Sequence, residues 1–216
     1  MPQPLSIDHS IMTFTTEAPR LPAGGELMFW LLPPLQNARS VIAQLLAAQL
    51  DYAVHWCVGE FGKPALKCGA FSISWSHTRA LTLVALRQFG ALGVDIEGPR
   101  TLSAALLQRF YNDAERVLCK TEPDAARRIW CLKEAYVKAV GRGIAFGLQH
   151  IDCSGPALRM IDSQCAPVNF ERPAFTASYR LMENHVGGLA CLTEAPQAFV
   201  AIDLRQHCLE SGLVAQ

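Results

Sequence analysis

The glycine–proline step at Gly98 and Pro99 constrains the fold more than any other feature, because it separates segments of two different kinds. Before the step, short apolar stretches dominate, and residues 71–76 alternate as a strand with one buried face does. Residues 91–97 form a further β-type run that the step ends. After it, apolar residues recur at helical spacing, and the longest such run, residues 124–140, stops at Gly141. The sequence therefore predicts an α+β protein.

The same periodicities assign the remaining elements. Strands are predicted at residues 27–32, 54–58, 71–76, 81–86, 91–97, 144–151, 175–182, 186–192 and 199–204. Helices are predicted at residues 38–51, 102–110, 113–120 and 124–140. Asn112 or Asp113 is suited to cap the third helix. Turns are expected at residues 59–64 and 183–185, where glycine, proline and polar side chains cluster.

The two halves of the chain resemble each other. Residues 76–86 and residues 183–192 each read as a polar turn followed by a β segment, and each half pairs a helix with several strands. This similarity indicates a duplicated α+β unit with its boundary near Gly90–Gly93.

Composition excludes several classes of protein. Half of the 216 residues are apolar, which is enough for a core, and the 19 basic and 19 acidic side chains cancel. A neutral chain carries no general electrostatic signal for nucleic acid or membrane binding. No apolar stretch reaches the ~20 residues that span a bilayer, and the first residues lack a secretory pattern. The eight cysteines form no C-x-x-C pair, so we expect reduced thiols, no zinc site and a cytoplasmic protein.

An acidic pair ends the strand predicted at residues 91–97. Asp95 and Glu97 are two positions apart and so lie on one face, while Val94 and Ile96 lie on the other. Two adjacent carboxylates repel each other unless water or a cation separates them. Oxygen ligands of this kind suit Mg²⁺. The alternative is a solvated strand end before the Gly–Pro turn.

The long helix predicted at residues 124–140 carries a mixed stripe. Trp130, Glu134 and Lys138 follow one another at four-residue spacing, and Lys133 lies one position off that line. The stripe is consistent with an ordinary surface Glu–Lys pair beside an anchoring tryptophan. A tryptophan in line with charges also suggests a partly buried ionic row beside a cleft.

A third segment offers groups for an anion. Lys63 stands between Gly62 and Pro64 on a predicted turn, and Ser76 with His77 ends a predicted strand. Together they could hold a phosphate, although each taken singly also fits a solvated surface position. No G-x-S-x-G elbow, P-loop or Rossmann glycine pattern occurs in the sequence.

In this order the segments resemble the 4′-phosphopantetheinyl transferase superfamily, specifically its monomeric Sfp-like branch. That family carries a Gly-Lys-Pro turn, a strand ending in Ser-His, a Val/Ile-Gly-Val/Ile-Asp-x-Glu strand and a Trp-x-x-Lys-Glu helix. The matching segments here are Gly62-Lys63-Pro64, Ser76-His77, Leu92-Gly93-Val94-Asp95-Ile96-Glu97 and Trp130-Cys131-Leu132-Lys133-Glu134-Ala135-Tyr136-Val137-Lys138. The stretch from Arg109 to Glu115 also resembles the family's Arg-Phe-Phe-x-x-x-Glu motif. The resemblance runs from Arg39 to Leu192.

The resemblance implies a fold and a reaction. Family members consist of two similar α/β halves related by pseudo-twofold symmetry, with coenzyme A in the cleft between them. Residues 1–91 would then hold the nucleotide end of coenzyme A, and residues 92–216 would supply the metal-binding and catalytic groups. The reaction transfers 4′-phosphopantetheine to a serine of an acyl-, aryl- or peptidyl-carrier protein and releases 3′,5′-ADP. The resemblance also implies a monomer.

It assigns roles to residues as well. Asp95, Glu97 and Glu134 would bind Mg²⁺, and Glu134 would also be the general base. Lys138, assisted by Lys133, would stabilise charge on the diphosphate. The residues expected at the nucleotide end of coenzyme A are Arg39, Lys63, Ser76 and His77.

Some family features are missing. No Lys or Arg lies between Arg20 and Arg39, and Ala48 stands where an arginine is frequent in the family. The choice between coenzyme A and dephospho-coenzyme A therefore stays open. With a neutral chain, carrier docking is expected to use apolar contacts near Phe110, Tyr111 and Leu118. The alternatives are a non-catalytic protein that binds coenzyme A or a carrier, and a metal-dependent phosphohydrolase.

Overall fold

The computed structural model of the chain describes residues 11–59, 61–143, 147–155, 158–160, 175–182, 184–192 and 195–214. Within these ranges the helices are α1 (Ala38–Leu50), α2 (Ala104–Phe110), α3 (Asp113–Thr121), α4 (Ala125–Val140) and α5 (Arg205–Glu210). The strands are β1 (Glu26–Leu32), β2 (Trp56–Val58), β3 (Pro64–Leu66), β4 (Ser72–His77), β5 (Thr82–Arg87), β6 (Leu92–Glu97), β7 (Ile151–Asp152), β8 (Arg159–Met160), β9 (Phe175–Arg180), β10 (Val186–Cys191) and β11 (Ala198–Asp203). The predicted mixture of helix and strand is confirmed.

Two sheets organise the molecule. The first has the strand order β11-β1-β5-β4, and the second has the order β6-β10-β9. All neighbours within them are antiparallel except β11, which runs parallel to β1. Two short ribbons, β2-β3 and β7-β8, lie outside the sheets.

The two sheets repeat one chain order. In each, a first strand (β1 or β6) is followed by a long helix (α1 or α4), a short ribbon and a hairpin. In the second, α2 and α3 are inserted between β6 and α4. The second hairpin strand pairs with the first strand of its own sheet, which gives β1-β5-β4 and β6-β10-β9. The two sheets therefore share one strand order, while the predicted duplication of the chain stays a prediction.

Alternation along the strands builds the cores. One set of side chains from both sheets, including Phe29, Leu83, Val94 and Leu189, packs into a shared apolar cluster. The opposite face of the first sheet packs against α1, for example through Trp30. α4 lies against β6 and β10 of the second sheet. Each long helix therefore covers one sheet, and the sheets bury their remaining faces against each other.

The C-terminal segment returns to the first sheet. β11 pairs along its whole length with β1, and Ile202, Leu204 and Cys208 are buried in the core beneath α1. The predicted boundary between residues 91 and 92 lies between β5 and β6, where the chain passes from one sheet to the other. β11 belongs to residues 92–216, but it pairs with β1 and so forms the edge of the first sheet.

Some predicted elements differ from the structure. The strand predicted at residues 144–151 is wrong at Leu148–His150, which form a 3-10 turn, and residues 144–146 lie outside the described residues. β3 and α5 were not predicted, because segments of three and six residues carry little periodicity. The turn at 183–185 is described only from Asn184 onward.

No helix among the described residues is long and apolar enough to span a bilayer.

Candidate active site

A cavity of about 750 Å³ opens where the end of β4 meets the end of β6. One face of α4 and the turn between β9 and β10 complete its wall. Ser76, His77, Asp95, Glu97 and Glu134 all line it. The structure thus brings together acidic residues that are far apart in the sequence.

The alternation of β6 aims its two carboxylates at this cavity. Leu92, Val94 and Ile96 point into the core shared by the sheets, while Asp95 and Glu97 lie on the opposite face. The predicted division of this strand into an apolar and an acidic face is therefore confirmed.

Two glycines let α4 approach the acidic strand. A Cβ at Gly93 would lie 2.0 Å from the carbonyl oxygen of Ala135, and one at Gly188 would lie 2.5 Å from the carbonyl group of Cys131. No side chain fits at either position without displacing helix backbone. The glycines of β6 and β10 therefore allow the helix to rest on the strands, with Glu134 beside the acidic pair.

Asp95 is held from two sides. Its Oδ1 accepts a hydrogen bond of 2.8 Å from the Ser76 hydroxyl and one of 2.7 Å from Lys138 Nζ. Lys138 Nζ also donates to the Val94 carbonyl oxygen at 3.1 Å. Ser76 and Lys138 thus fix a carboxylate that is only 6% exposed.

Glu97 has a different counter-ion. Both of its carboxylate oxygens accept from the guanidinium of Arg100, at 2.7 and 2.6 Å. Arg100 also lines the cavity, and sequence reasoning did not identify it. Its i,i+3 spacing from Glu97 was the signal that could have found it.

Glu134 is the unsatisfied member of the three carboxylates. Its Oε1 is buried and accepts no hydrogen bond from the described residues. Burial raises the pKa of Glu134 to about 7, and the nearby charges of Asp95 and Glu97 act in the same direction against a lowering effect of Lys138. The structure therefore brings three carboxylates together here, and one of their oxygens has no hydrogen-bond partner in the described part of the chain.

The carboxylates are not preassembled as a metal site. No group of three or more His, Cys, Asp or Glu in the described part of the chain is arranged to hold a metal ion. Asp95 is paired with Lys138, and Glu97 is paired with Arg100.

A second cavity of about 200 Å³ is lined by Lys63 and by Lys138, whose Nζ contacts Asp95 of the first cavity. The Lys63 ammonium donates to the carbonyl oxygens of Leu92 and Ala139, both at 3.0 Å. Burial lowers the pKa of Lys63 to about 8. Lys63 therefore ties the Gly-Lys-Pro turn to the start of β6 and the end of α4.

Lys133 does not lie at the cavity. Its side chain is fully buried, and its Nζ contacts Glu115 at 2.7 Å, the Phe110 carbonyl at 2.6 Å and the Leu148 carbonyl at 3.1 Å. The position does not support the predicted catalytic role, because Lys133 is fully buried and lines neither cavity. Neighbouring helix positions point about 100° apart, which turns Lys133 toward α3 and Glu134 toward the cavity.

The remaining residues predicted to contact coenzyme A or the carrier protein differ in solvent exposure. His77 is exposed at the cavity rim, whereas Arg39 is exposed at the start of α1 and lines neither cavity. Of the apolar residues suggested for carrier docking, Tyr111 is only 2% exposed and its hydroxyl donates to the Ala126 carbonyl. Phe110 is half-buried against Trp130.

His185 is a cavity residue that sequence reasoning missed. It is buried, with Nε2 3.0 Å from the Thr78 hydroxyl and Nδ1 3.2 Å from the Met182 carbonyl. It thereby joins the turn between β9 and β10 to the turn between β4 and β5. The internal repeat, which aligned these two turns, was the signal that could have identified it.

Comparisons with known proteins agree with this geometry. The model of the 4′-phosphopantetheinyl transferase superfamily matches residues 91–190, which include Asp95, Glu97, Glu134 and Lys138. The 4′-phosphopantetheinyl transferase psf-1 of Bacillus pumilus is 26% identical over 116 residues, covering 51% of this chain and 49% of the relative. The 4′-phosphopantetheinyl transferase HetI of Nostoc is 38% identical over 77 residues, covering 32% of each chain.

A vertebrate protein is also similar. The L-aminoadipate-semialdehyde dehydrogenase-phosphopantetheinyl transferase of Xenopus laevis is 28% identical over 158 residues, covering 64% of this chain and 49% of the relative. The chain spans half or less of the length of each of these three relatives. Residues 91–190 thus match the 4′-phosphopantetheinyl transferase superfamily, and the chain is similar to three phosphopantetheinyl transferases over part of its length.

Proposed function

We propose that this protein transfers the 4′-phosphopantetheine group of coenzyme A to a serine of an acyl-, aryl- or peptidyl-carrier protein and releases 3′,5′-ADP. The observation that carries the proposal is the convergence of Asp95, Glu97 and Glu134 on one cavity with Lys138 at its edge. The names of the similar proteins, all 4′-phosphopantetheinyl transferases, support it.

The residues fit a bound Mg²⁺. Glu134 Oε1 is a buried acceptor that no described residue contacts with a hydrogen bond. Asp95 and Glu97 supply further carboxylate oxygens, the donor type that Mg²⁺ prefers. Bound there, Mg²⁺ would neutralise charge on the diphosphate of coenzyme A. The proposed ligands are therefore Asp95, Glu97 and Glu134.

The chain's own residues account for proton and charge movement. Glu134, with a pKa of about 7, is suited to accept the proton of the carrier serine, directly or through a water molecule. The serine oxygen then bonds to the β-phosphorus of coenzyme A, and the bond from that phosphorus to the bridging oxygen breaks. The bridging oxygen leaves on 3′,5′-ADP, and the Lys138 ammonium stabilises its charge.

The nucleotide end of coenzyme A is assigned to residues of the two cavities that lie beside the three carboxylates. Two protons of the Lys63 ammonium are used by carbonyl oxygens, so the third can reach a phosphate in the smaller cavity. His77 and Arg79 line the rim of the larger cavity and are suited to the 3′-phosphate. Ser76 is assigned to hold Asp95. Arg39 would have to reach the nucleotide from outside both cavities.

The wider assignment is also a proposal. We infer two halves, residues 1–91 and 92–216, related by pseudo-twofold symmetry, with the nucleotide on the first and catalysis on the second. The enzyme would act as a cytoplasmic monomer without a nucleic acid or membrane partner. Fatty-acid, polyketide and non-ribosomal peptide carriers are all candidate substrates.

Intact mass spectrometry of apo-carriers incubated with the protein, coenzyme A and Mg²⁺ tests the proposal. The carrier should gain the mass of one phosphopantetheine, EDTA should stop the gain, and added Mg²⁺ should restore it. Glu134→Gln should slow labelling by about 100-fold or more, while Glu210→Gln on α5 should label normally.

Three results would count against it. Undiminished labelling by Glu134→Gln would contradict the catalytic assignment. Carrier binding without a mass gain would favour the non-catalytic alternative. Phosphate release from coenzyme A without a carrier would favour a phosphohydrolase.

A further inference from the structure

The guanidinium of Arg100 forms a bidentate ion pair with the carboxylate of Glu97. Its Nε donates to one carboxylate oxygen at 2.7 Å and its Nη2 to the other at 2.6 Å. The Glu97 side chain is 14% exposed, whereas that of Arg100 is 54% exposed. The guanidinium is therefore the solvent-facing partner of a carboxylate that faces the cavity.

The backbone between these residues is fixed. The Gly98 carbonyl oxygen accepts a hydrogen bond of 2.9 Å from the Arg127 guanidinium. The same guanidinium donates a hydrogen bond of 2.7 Å to the Asn184 carbonyl oxygen. Arg127 is 8% exposed on α4, so it anchors the end of β6 to the helix. The Arg100 side chain can therefore leave Glu97 without disturbing the strand that aims the carboxylates.

The charges around the cavity are unevenly compensated. Lys138 pairs with Asp95 and Arg100 pairs with Glu97, and Arg100 is the more exposed of the two cations. The hydrogen bond that Arg100 donates to Glu97 is the main cause of the raised pKa of the Arg100 guanidinium, and the charge of Asp95 acts in the same direction. Because both Glu97 oxygens accept from Arg100, a metal ion that binds them competes with the guanidinium for the charge of the same carboxylate.

We propose that Arg100 is the resting counter-ion of Glu97, which it holds in the metal-free protein and releases when a divalent cation binds. The proposal rests on the metal ligands assigned under the proposed function. It makes Arg100 a positioning residue that balances the charge of Glu97 until the metal arrives.

When Arg100 is released from Glu97, its guanidinium stays in the cavity wall without that carboxylate as its partner. A forked cation of this kind matches the oxygens of a phosphate group, and the diphosphate of coenzyme A would occupy the same cavity. Coenzyme A should therefore strengthen divalent-metal binding by giving Arg100 a second partner, and the metal should strengthen coenzyme A binding by the same factor.

Mn²⁺ titration of the EDTA-treated full chain, followed by electron paramagnetic resonance, tests the exchange. Without coenzyme A, Arg100→Gln should bind Mn²⁺ roughly three- to ten-fold more tightly than the natural chain, because a competing ion pair is removed. The matched control is Arg116→Gln, which breaks an i,i+3 pair with Asp113 on α3 and should leave Mn²⁺ affinity unchanged. Coenzyme A should tighten Mn²⁺ binding by the natural chain and much less by Arg100→Gln.

Unchanged or weaker Mn²⁺ binding by Arg100→Gln would overturn the proposal. Should that variant not fold, as judged by circular dichroism, Arg100→Lys takes its place, because a lysine keeps the charge but cannot form the forked contact. It should bind Mn²⁺ more tightly than the natural chain by a smaller factor, and an unchanged affinity would equally overturn the exchange. The titration needs no carrier, so a missing transfer activity would contradict the proposed function and leave this result standing.

Discussion

At the scale of single residues, the protonation of Glu134 links its surroundings to the stability of the fold. Its pKa is raised from 4.5 to about 7, chiefly by burial and then by Asp95 and Glu97. Between these pH values the folded chain holds a proton that the unfolded chain has lost. The stabilisation is complete below pH 4.5 and disappears as the pH rises through about 7.

Replacing Glu134 by Gln should remove this dependence. In the metal-free protein, the free energy of unfolding of the natural chain should fall between pH 5 and pH 8 relative to that of Glu134→Gln, by about 1–3 kcal/mol. Urea unfolding in EDTA at both pH values measures the difference, and Glu210→Gln serves as the exposed control. Parallel behaviour of the natural chain and Glu134→Gln would contradict the raised pKa.

Adjacent residues of one helix show how far the sequence predicts the site. The stripe of Trp130, Glu134 and Lys138 predicted a partly buried ionic row beside a cleft. In the structure Trp130 and Glu134 line the cavity, and Lys138 contacts Asp95. Lys133 lies one position away and is buried against Glu115. Which lysine faces the strand depends on how α4 is rotated on its sheet, and the packing of the whole half sets that rotation.

At the scale of elements, the close contact of α4 with β10 is the step that assembles the cavity. Gly188→Ala would place a Cβ 2.5 Å from the Cys131 carbonyl, where only helix backbone could move away. We expect a loss of about 2–4 kcal/mol in unfolding free energy. Weaker Mn²⁺ binding should accompany it, because Glu134 moves with the helix.

Gly59→Ala is the matched control in urea unfolding. Its new Cβ would meet only the Lys63 carbonyl at 3.6 Å, an ordinary contact, so little stability should be lost. Equal losses of unfolding free energy in Gly188→Ala and Gly59→Ala would show that the close contact of α4 with β10 does not determine stability.

Long elements were predicted well and short ones were not. α1, α3 and α4 lie where apolar spacing placed them, and Asn112 caps α3 in a reciprocal bond with Glu115. β3 has three residues and gains its strand conformation by pairing with β2. A strand as short as β3 forms because it pairs with another segment of the chain, and the pattern of its own residues does not show which segment that is.

At the scale of the whole molecule, the two sheets depend on each other. The sequence repeat indicated two similar halves, and the shared strand order supports it. The pairing of β11 with β1 could not be read from the sequence, because alternation identifies a strand without naming its neighbour. That pairing joins the last segment of the chain to its first sheet, while the core between the sheets draws side chains from both.

Unfolding should therefore be one cooperative event. Ile202 on β11 is fully buried in the core beneath α1, so Ile202→Ala should cost about 2–4 kcal/mol in unfolding free energy. Because the halves share a core, the loss should shift the tryptophan fluorescence and circular dichroism transitions by the same amount. Val200→Ala, at a half-buried position of the same strand, should shift both less. Separate transitions in the natural chain, or an Ile202→Ala effect confined to one probe, would mean that the halves unfold independently and that β11 does not couple them.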